Sequence, residues 1–71
     1  MIDRTGQVWE DDDGTLIYVV LGLVGPSASK IFAHRVLFLY ADTPGYSVGE
    51  VANDYESEDK LWEKTGRRRL L

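Results

Sequence analysis

The chain has 71 residues, with 12 acidic and 8 basic side chains, a net charge of −4 and no cysteine. This length allows one hydrophobic core, so we assign residues 1–71 to a single domain. Without cysteine, and with His34 as the only histidine, the chain has neither a disulfide framework nor the side chains for a thiolate or histidine metal cluster. We expect no cofactor, and the negative charge argues against a protein that coats nucleic acid.

Nothing in the sequence indicates export or membrane insertion. The longest mostly apolar stretch, residues 16–25, falls short of the roughly 20 residues needed to span a bilayer. The amino terminus lacks a basic region followed by an apolar run. We therefore expect a cytoplasmic protein that does not contact a membrane.

The first predicted unit is a β-hairpin. Residues 7–10 and 15–21 are rich in β-branched and aromatic side chains, and Asp13 and Gly14 separate them. Both central residues of a type I′ turn need a positive φ, which glycine adopts freely and aspartate tolerates better than most residues. The pattern predicts a type I′ turn at Asp13 and Gly14.

The second predicted strand is apolar on both sides. Its alternate residues form two sets: Leu16, Tyr18 and Val20 on one side, and Ile17, Val19, Leu21 and Leu23 on the other. Such a strand is typical of a sheet whose two faces are both covered.

Punctuating residues divide the remainder of the chain. Glycine, proline and serine predict a loop over residues 25–30, followed by a strand over 31–40. Pro44 and Gly45 predict a type II turn, and a fourth strand is expected over 46–51. A short helical turn near 57–61, a return to the core over 61–64 and a last strand over 67–71 complete the prediction.

Consecutive hairpins with short turns predict an antiparallel meander of five strands in an all-β fold. Closing that sheet would cover its two apolar faces and remove its edges. The order of elements, beginning with the segment Gly6-Gln7-Val8-Trp9, resembles an SH3-like barrel. The opening residues 5–11 and the segment Leu61-Trp62-Glu63 are also similar to small uncharacterised proteins encoded by bacteriophages, which implies a location in the host cytoplasm.

Two groups of residues have the chemistry of a catalytic or metal site. Asp11, Asp12 and Asp13 offer carboxylates that hard cations prefer, but a solvated hairpin turn explains them better, because a calcium loop needs further ligands at fixed spacing and the apolar strand begins at Leu16. His34 is the natural acid-base candidate, but no nucleophile motif accompanies it, and we interpret it as a partly exposed strand residue beside Arg35. We expect no enzyme activity.

Binding chemistry is concentrated in aromatic side chains and the carboxyl-terminal arginines. Tyr55 and Trp62 could form a stacking platform with the arginines for single-stranded nucleic acid, or the arginines could project to solvent and pair with the acidic segment 50–63. Exposed aromatics could instead receive a protein segment. The candidate binding surface comprises Trp9, Tyr46, Tyr55, Trp62, Arg67, Arg68 and Arg69.

These observations favour a small non-enzymatic binding module that mediates protein–protein interaction or self-assembly, as an accessory or structural protein of a phage. A protein partner or a second copy of the chain is the expected ligand. The alternative is nucleic-acid binding through the arginine cluster.

Overall fold

A computed structural model describes residues 2–26 and 31–71 of the chain. The described strands form one antiparallel sheet in the order β4-β3-β2-β1-β5, and no helix among these residues has the length and hydropathy to cross a membrane. The elements are β1 (Val8–Glu10), β2 (Leu16–Pro26), β3 (Ile31–Ala41), β4 (Val51–Ser57), a 3₁₀ turn (Trp62–Lys64) and β5 (Arg68–Arg69). The prediction of an all-β fold with five antiparallel strands is confirmed. The meander holds for β1 to β4 only, because β5 pairs with β1 rather than with β4.

The first hairpin is confirmed, but its predicted turn type is wrong. The amide of Gly14 donates to the carbonyl of Asp11 at 3.0 Å, so the turn lies one residue earlier than expected. Among the described residues only glycines have a positive φ, and Gly14 adopts 74°. Asp13 is held in ordinary backbone geometry because its carboxylate accepts hydrogen bonds from the amide and hydroxyl of Thr15.

The predicted loop over 25–30 begins too early. β2 continues through Gly25 to Pro26, where a register shift against β3 lets the strand end at a proline. The rest of that prediction, residues 27–30, lies outside the described residues.

The connection between β3 and β4 begins with the predicted type II turn. The amide of Tyr46 faces the carbonyl of Thr43 at 3.4 Å, with Pro44 and Gly45 between them. Gly45 has a φ of 92°, as the third position of this turn requires. The prediction for Pro44 and Gly45 is confirmed.

The fourth strand predicted over 46–51 is wrong, because a second tight turn occupies these residues. The amide of Glu50 donates to the carbonyl of Ser47 at 3.1 Å, and Gly49 has a φ of 85°. Two glycines at positive φ therefore keep the chain turning, and β4 begins only at Val51.

The helical turn predicted near 57–61 is displaced towards the carboxyl terminus. The hydroxyl of Ser57 accepts from the amide of Lys60 at 3.0 Å as a cap would, but the 3₁₀ turn starts at Trp62. The Glu56 carboxylate accepts from the amide of Trp62 at 2.8 Å and places the start of the turn there. The last strand is likewise limited to Arg68–Arg69.

The core lies between one face of the sheet and the 3₁₀ turn. Its members are Trp9, Leu16, Tyr18, Val20, Val36, Phe38 and Trp62. Trp62 packs edge-on against Trp9 with ring centroids 5.4 Å apart, and against Tyr18 at 5.8 Å, the geometry that aromatic pairs prefer. The largest side chains therefore fix the 3₁₀ turn onto the sheet.

Side chains, rather than a backbone ladder, connect β4 to the segment that leads into β5. The indole N–H of Trp62 donates to the carbonyl of Tyr55 at 3.2 Å. Arg67 Nη1 donates to Asp54 Oδ2 at 2.6 Å. We call this line of contacts the seam; it brings the two edges of the sheet together while backbone pairing stays open between them in the described sheet.

Candidate functional site

A buried ion pair anchors the seam. Arg4 donates from Nε to Glu56 Oε1 at 2.8 Å and from Nη2 to Glu56 Oε2 at 2.6 Å. Their side chains are only 4% and 0% exposed, so the two charges neutralise each other in a nearly dry environment. Arg4 Nη2 also donates to the more exposed carboxylate of Glu63. Arg4 therefore binds a residue of the 3₁₀ turn as well as a residue of β4.

Opposing effects set the ionisation of Glu56. Burial raises the pKa of its carboxyl, but hydrogen bonds from Arg4, the Trp62 amide and His34 outweigh burial and hold the pKa below its ordinary value. The hydrogen bond to Glu56 likewise raises the pKa of Arg4. Both groups are therefore charged at neutral pH.

His34 is fully buried, so the interpretation of a partly exposed histidine is wrong. It is 0% exposed, and Nε2 lies 2.8 Å from Glu56 Oε1. Because a carboxylate only accepts hydrogen bonds, Nε2 is the protonated nitrogen. Nδ1 is buried without a hydrogen-bond partner among the described residues. These contacts give His34 a structural role in holding Glu56.

Sequence reasoning missed Arg4 and Glu56. Arg4 precedes the first strand in a polar segment, and Glu56 lies in the acidic segment 50–63, beyond the end of the fourth strand predicted over 46–51. The available signal was the alternation within β4, where Ala52, Asp54 and Glu56 face inward and Asn53 and Tyr55 are exposed. Arg4 also lies 4.8 Å from the Trp9 ring and 5.3 Å from the Trp62 ring.

Arg67 borders depressions that three other predicted binding residues line: Tyr46, Tyr55 and Trp62. Its guanidinium lies 4.9 Å over the Trp62 ring, and Nη1 donates to the Tyr18 hydroxyl at 3.0 Å. Arg67 borders two depressions, one of about 290 Å³ that includes Tyr55 and Trp62, and one of about 190 Å³ that includes Tyr46. The seam thus separates the two exposed tyrosines.

The remaining predicted residues are dispersed. Trp9 is 2% exposed and belongs to the core. Arg68 pairs with Glu10 at 2.6 Å, and Arg69 Nε donates to the carbonyl of Leu71 at 3.1 Å. With Arg67 held by Asp54 in the acidic segment, as one of the two interpretations expected, the three arginines do not form a common basic surface.

The turn of the first hairpin contacts the same region, because Asp11 and Arg67 both hydrogen-bond to the Tyr18 hydroxyl. The carboxylates of Asp11, Asp12 and Asp13 lie within 4.8 Å of one another. Asp11 Oδ1 accepts from the Tyr18 hydroxyl at 3.2 Å, and burial raises the pKa of the Asp11 carboxyl. This hydrogen bond and those of Asp13 shape the turn.

The face of the sheet that points away from the core is exposed to solvent, contrary to the prediction. Val8, Val19, Leu37 and Val51 are cross-strand partners in one continuous row over β1 to β4, and partners in a row share a face. We call this surface the outer face. The prediction that both faces of β2 are covered is wrong, because Leu21 is 45% exposed and no second layer packs there among the described residues.

Further rows extend the apolar character of the outer face. Ile17 pairs with Tyr40, and Val24 pairs with Ala33, which in turn pairs with Tyr55. The large apolar side chains exposed by 37% to 63% on these strands are Leu21, Val24, Ile31, Leu39, Tyr40, Val51 and Tyr55. Sequence reasoning identified only Tyr55 as a candidate binding residue.

Comparisons of the chain with family models, curated proteins and solved structures find no match.

Proposed function

We propose that this chain is a small non-enzymatic binding module, built on an SH3-like barrel, that contacts another protein through its outer face. The barrel assignment is supported by the strand order β4-β3-β2-β1-β5, by the 3₁₀ turn before the last strand, and by the seam. In the phage context that the sequence resembles, such a module would be an accessory or structural protein in the host cytoplasm.

The observation that supports this function is the size and composition of the outer face. Four rows of paired residues make up this face, and their 13 positions cover roughly 400 Å² at about 4.8 Å between strands and about 6.7 Å between rows. Nine of these positions are apolar: Val8, Ile17, Val19, Val24, Ala33, Leu37, Tyr40, Val51 and Tyr55. Apolar patches larger than a few hundred Å² are uncommon on monomeric proteins and indicate interaction sites. Glu10 and Arg68 form an ion pair at one edge of the face, so polar side chains border the apolar rows there, as at the periphery of protein interfaces.

The charge on the outer face favours a different protein over a second copy. Arg35 lies on β3 in the row between Gly22 and Asn53, near the middle of the face. Two copies packed face to face with a two-fold axis through the middle of this face would bring the two Arg35 guanidinium groups together. Each copy also has a net charge of −4, which adds general repulsion.

Site-specific photo-crosslinking tests this function with a matched pair of tyrosines. Tyr40, on the outer face, is 45% exposed, and Tyr46, on the opposite side, is 46% exposed. Each is replaced in turn by a photoreactive phenylalanine analogue in the cell that naturally produces the protein. We expect one defined protein adduct from position 40 and none from position 46, because only the first position lies within the contact.

The identity of the adduct decides the outcome. The purified adduct protein should bind the wild-type chain, and Val51→Glu should abolish that binding by placing a charge in the apolar row. Adducts at position 46 alone, or adducts with nucleic acid, would overturn the assignment of the outer face. An adduct with the chain itself would replace the proposed protein partner with a second copy.

A further inference from the structure

Arg35 is the charged residue that stands out on the outer face. It is exposed, and its side chain makes no hydrogen bond or ion pair with any of the described residues. By contrast, Glu10 and Arg68 at the edge of the same face neutralise each other at 2.6 Å. The outer face therefore combines an apolar surface with one uncompensated cation near its middle.

The backbone leaves open space beside this cation. Arg35 is opposite Gly22, which follows a β-bulge at Leu21. A Cβ atom built at Gly22 would meet nothing within 4 Å. The result is a shallow depression of about 400 Å³ lined by Leu21, Gly22, Leu23, Val24 and Arg35. Leu21 and Val24 supply exposed aliphatic groups, polar atoms form slightly more than half of the wall, and the guanidinium is its one charged group.

Covering this depression with a purely apolar surface would be unfavourable. A guanidinium that loses water without gaining a partner incurs a large desolvation penalty. A carboxylate removes that penalty and matches the guanidinium in a two-pronged geometry. The depression therefore favours a ligand that carries a carboxylate next to apolar groups.

On this basis, and provided that the outer face is the contact surface proposed above, we infer that the partner presents an aspartate or glutamate side chain, flanked by apolar residues, to Arg35. The carboxylate would enter the space beside Gly22, while the flanking residues cover Leu21 and Val24. Arg35 would then determine which apolar protein surfaces the module accepts, because surfaces without an acid would leave it buried and unpaired.

Short model peptides test this inference by NMR titration of the ¹⁵N-labelled protein. The probes are acetyl-Leu-Val-Glu-Val-Leu-amide and the same peptide with glutamine in place of glutamate, with octanoate as a lipid-like carboxylate. We expect the glutamate peptide to bind roughly three- to tenfold more tightly than the glutamine peptide. The largest shifts should be at the amides of Gly22 and Arg35.

Two variants keep the test independent of folding defects. Arg35→Gln should abolish the preference for the glutamate peptide, since it removes the charge from an exposed position. Gly22→Ala should weaken both peptides, because its Cβ atom projects into the depression and would meet nothing within 4 Å.

Each outcome separates this inference from the proposed function. Equal binding of the two peptides on the outer face would overturn the role of Arg35 and leave the outer face as the contact surface. Binding of octanoate without the glutamate peptide would overturn the protein source of the carboxylate. Binding of neither peptide would overturn the inference, and the crosslinks from position 40 would decide the proposed function separately.

Discussion

Arg4 and Glu56 lie 52 residues apart in the sequence and form a buried ion pair through two hydrogen bonds, at 2.8 Å and 2.6 Å. The same carboxylate accepts the amide of Trp62 and contacts His34. One side chain of β4 therefore holds the amino-terminal segment, the 3₁₀ turn and β3 together. The chain compensates in this way for a sheet whose edges are not joined by backbone pairing.

Removing one member of this pair should destabilise the fold severely. Glu56→Leu leaves the buried Arg4 guanidinium with only the more exposed Glu63 carboxylate as a partner, and a loss of about 3–5 kcal/mol in the free energy of unfolding is expected. Urea unfolding followed by far-UV circular dichroism measures this loss. The control is Glu10→Gln, which breaks the more exposed pair with Arg68 and should cost at most about 1 kcal/mol. Similar losses for both variants would contradict the anchoring role of Glu56.

Acid should weaken the fold through Glu56. Because its pKa in the folded protein is below the ordinary value of 4.5, its stabilising contribution is complete above about pH 4.5 and decreases as the pH falls through the lowered pKa. Unfolding free energies measured between pH 3 and 7 should show this decrease. The slope below pH 4.5 should be shallower in Glu56→Gln, and an unchanged slope would exclude Glu56 as its source.

Asp11 should act in the opposite direction. Burial raises the pKa of its carboxyl above the ordinary value of 3.8, so its contribution to stability is present at low pH and decreases as the pH rises through the raised pKa. Asp11→Asn keeps an oxygen acceptor for Tyr18 and removes the buried charge. We expect this variant to gain stability over the wild type as the pH rises from 4 to 7. The exposed neighbour Asp12→Asn is the control, and equal gains in both variants would rule out burial of Asp11 as the cause.

Two glycines with similar backbone angles should respond differently to alanine. Gly14 and Gly66 have φ values of 74° and 88°, so each alanine incurs about 1–2 kcal/mol of backbone strain. A Cβ atom at Gly66 would also lie 3.0 Å from the Cβ of Asp12, whereas one at Gly14 meets nothing within 4 Å. Thermal unfolding should therefore show the larger loss for Gly66→Ala. Equal losses would contradict this prediction, since they would mean that the turn carrying Asp12 shifts away from residue 66 without a free-energy penalty.

The outer face should be dispensable for folding. Leu39→Ser changes a side chain that is 48% exposed and should alter the free energy of unfolding by roughly 0.5 kcal/mol or less. Its neighbour Phe38 is 5% exposed, and Phe38→Ala should cost about 3–5 kcal/mol. Chemical denaturation of both variants measures the contrast. A large loss for Leu39→Ser would assign the outer face to stability rather than to binding.

Local sequence patterns were sufficient to predict most of the sheet, but they were not sufficient to predict the candidate sites. The alternation in β2, the turn at Pro44 and Gly45 and the first hairpin are determined by neighbouring residues, so they could be predicted. The start of β4 could not, because the pattern after Tyr46 is compatible with a strand and the second turn depends on Gly49 adopting a positive φ.

The candidate sites depend on contacts between distant residues. His34 is buried because Glu56 is available across the β3–β4 pair, and no local pattern in the sequence reports that partner. The outer face was misjudged for a related reason, since an apolar strand has the same composition whether its second face is covered by this chain or by another protein.

Trp9 and Trp62, which pack around Arg4, also determine the intrinsic tryptophan fluorescence of the protein. These are the two tryptophans of the chain, and their ring centroids are 5.4 Å apart beside the seam. Intrinsic fluorescence consequently reports on this one region and is insensitive to the far end of the β2–β3 hairpin. If the seam opens before the sheet unfolds, the fluorescence emission will change at a lower denaturant concentration than the far-UV circular dichroism signal. The two tryptophans then report the opening of the seam in the unmodified protein.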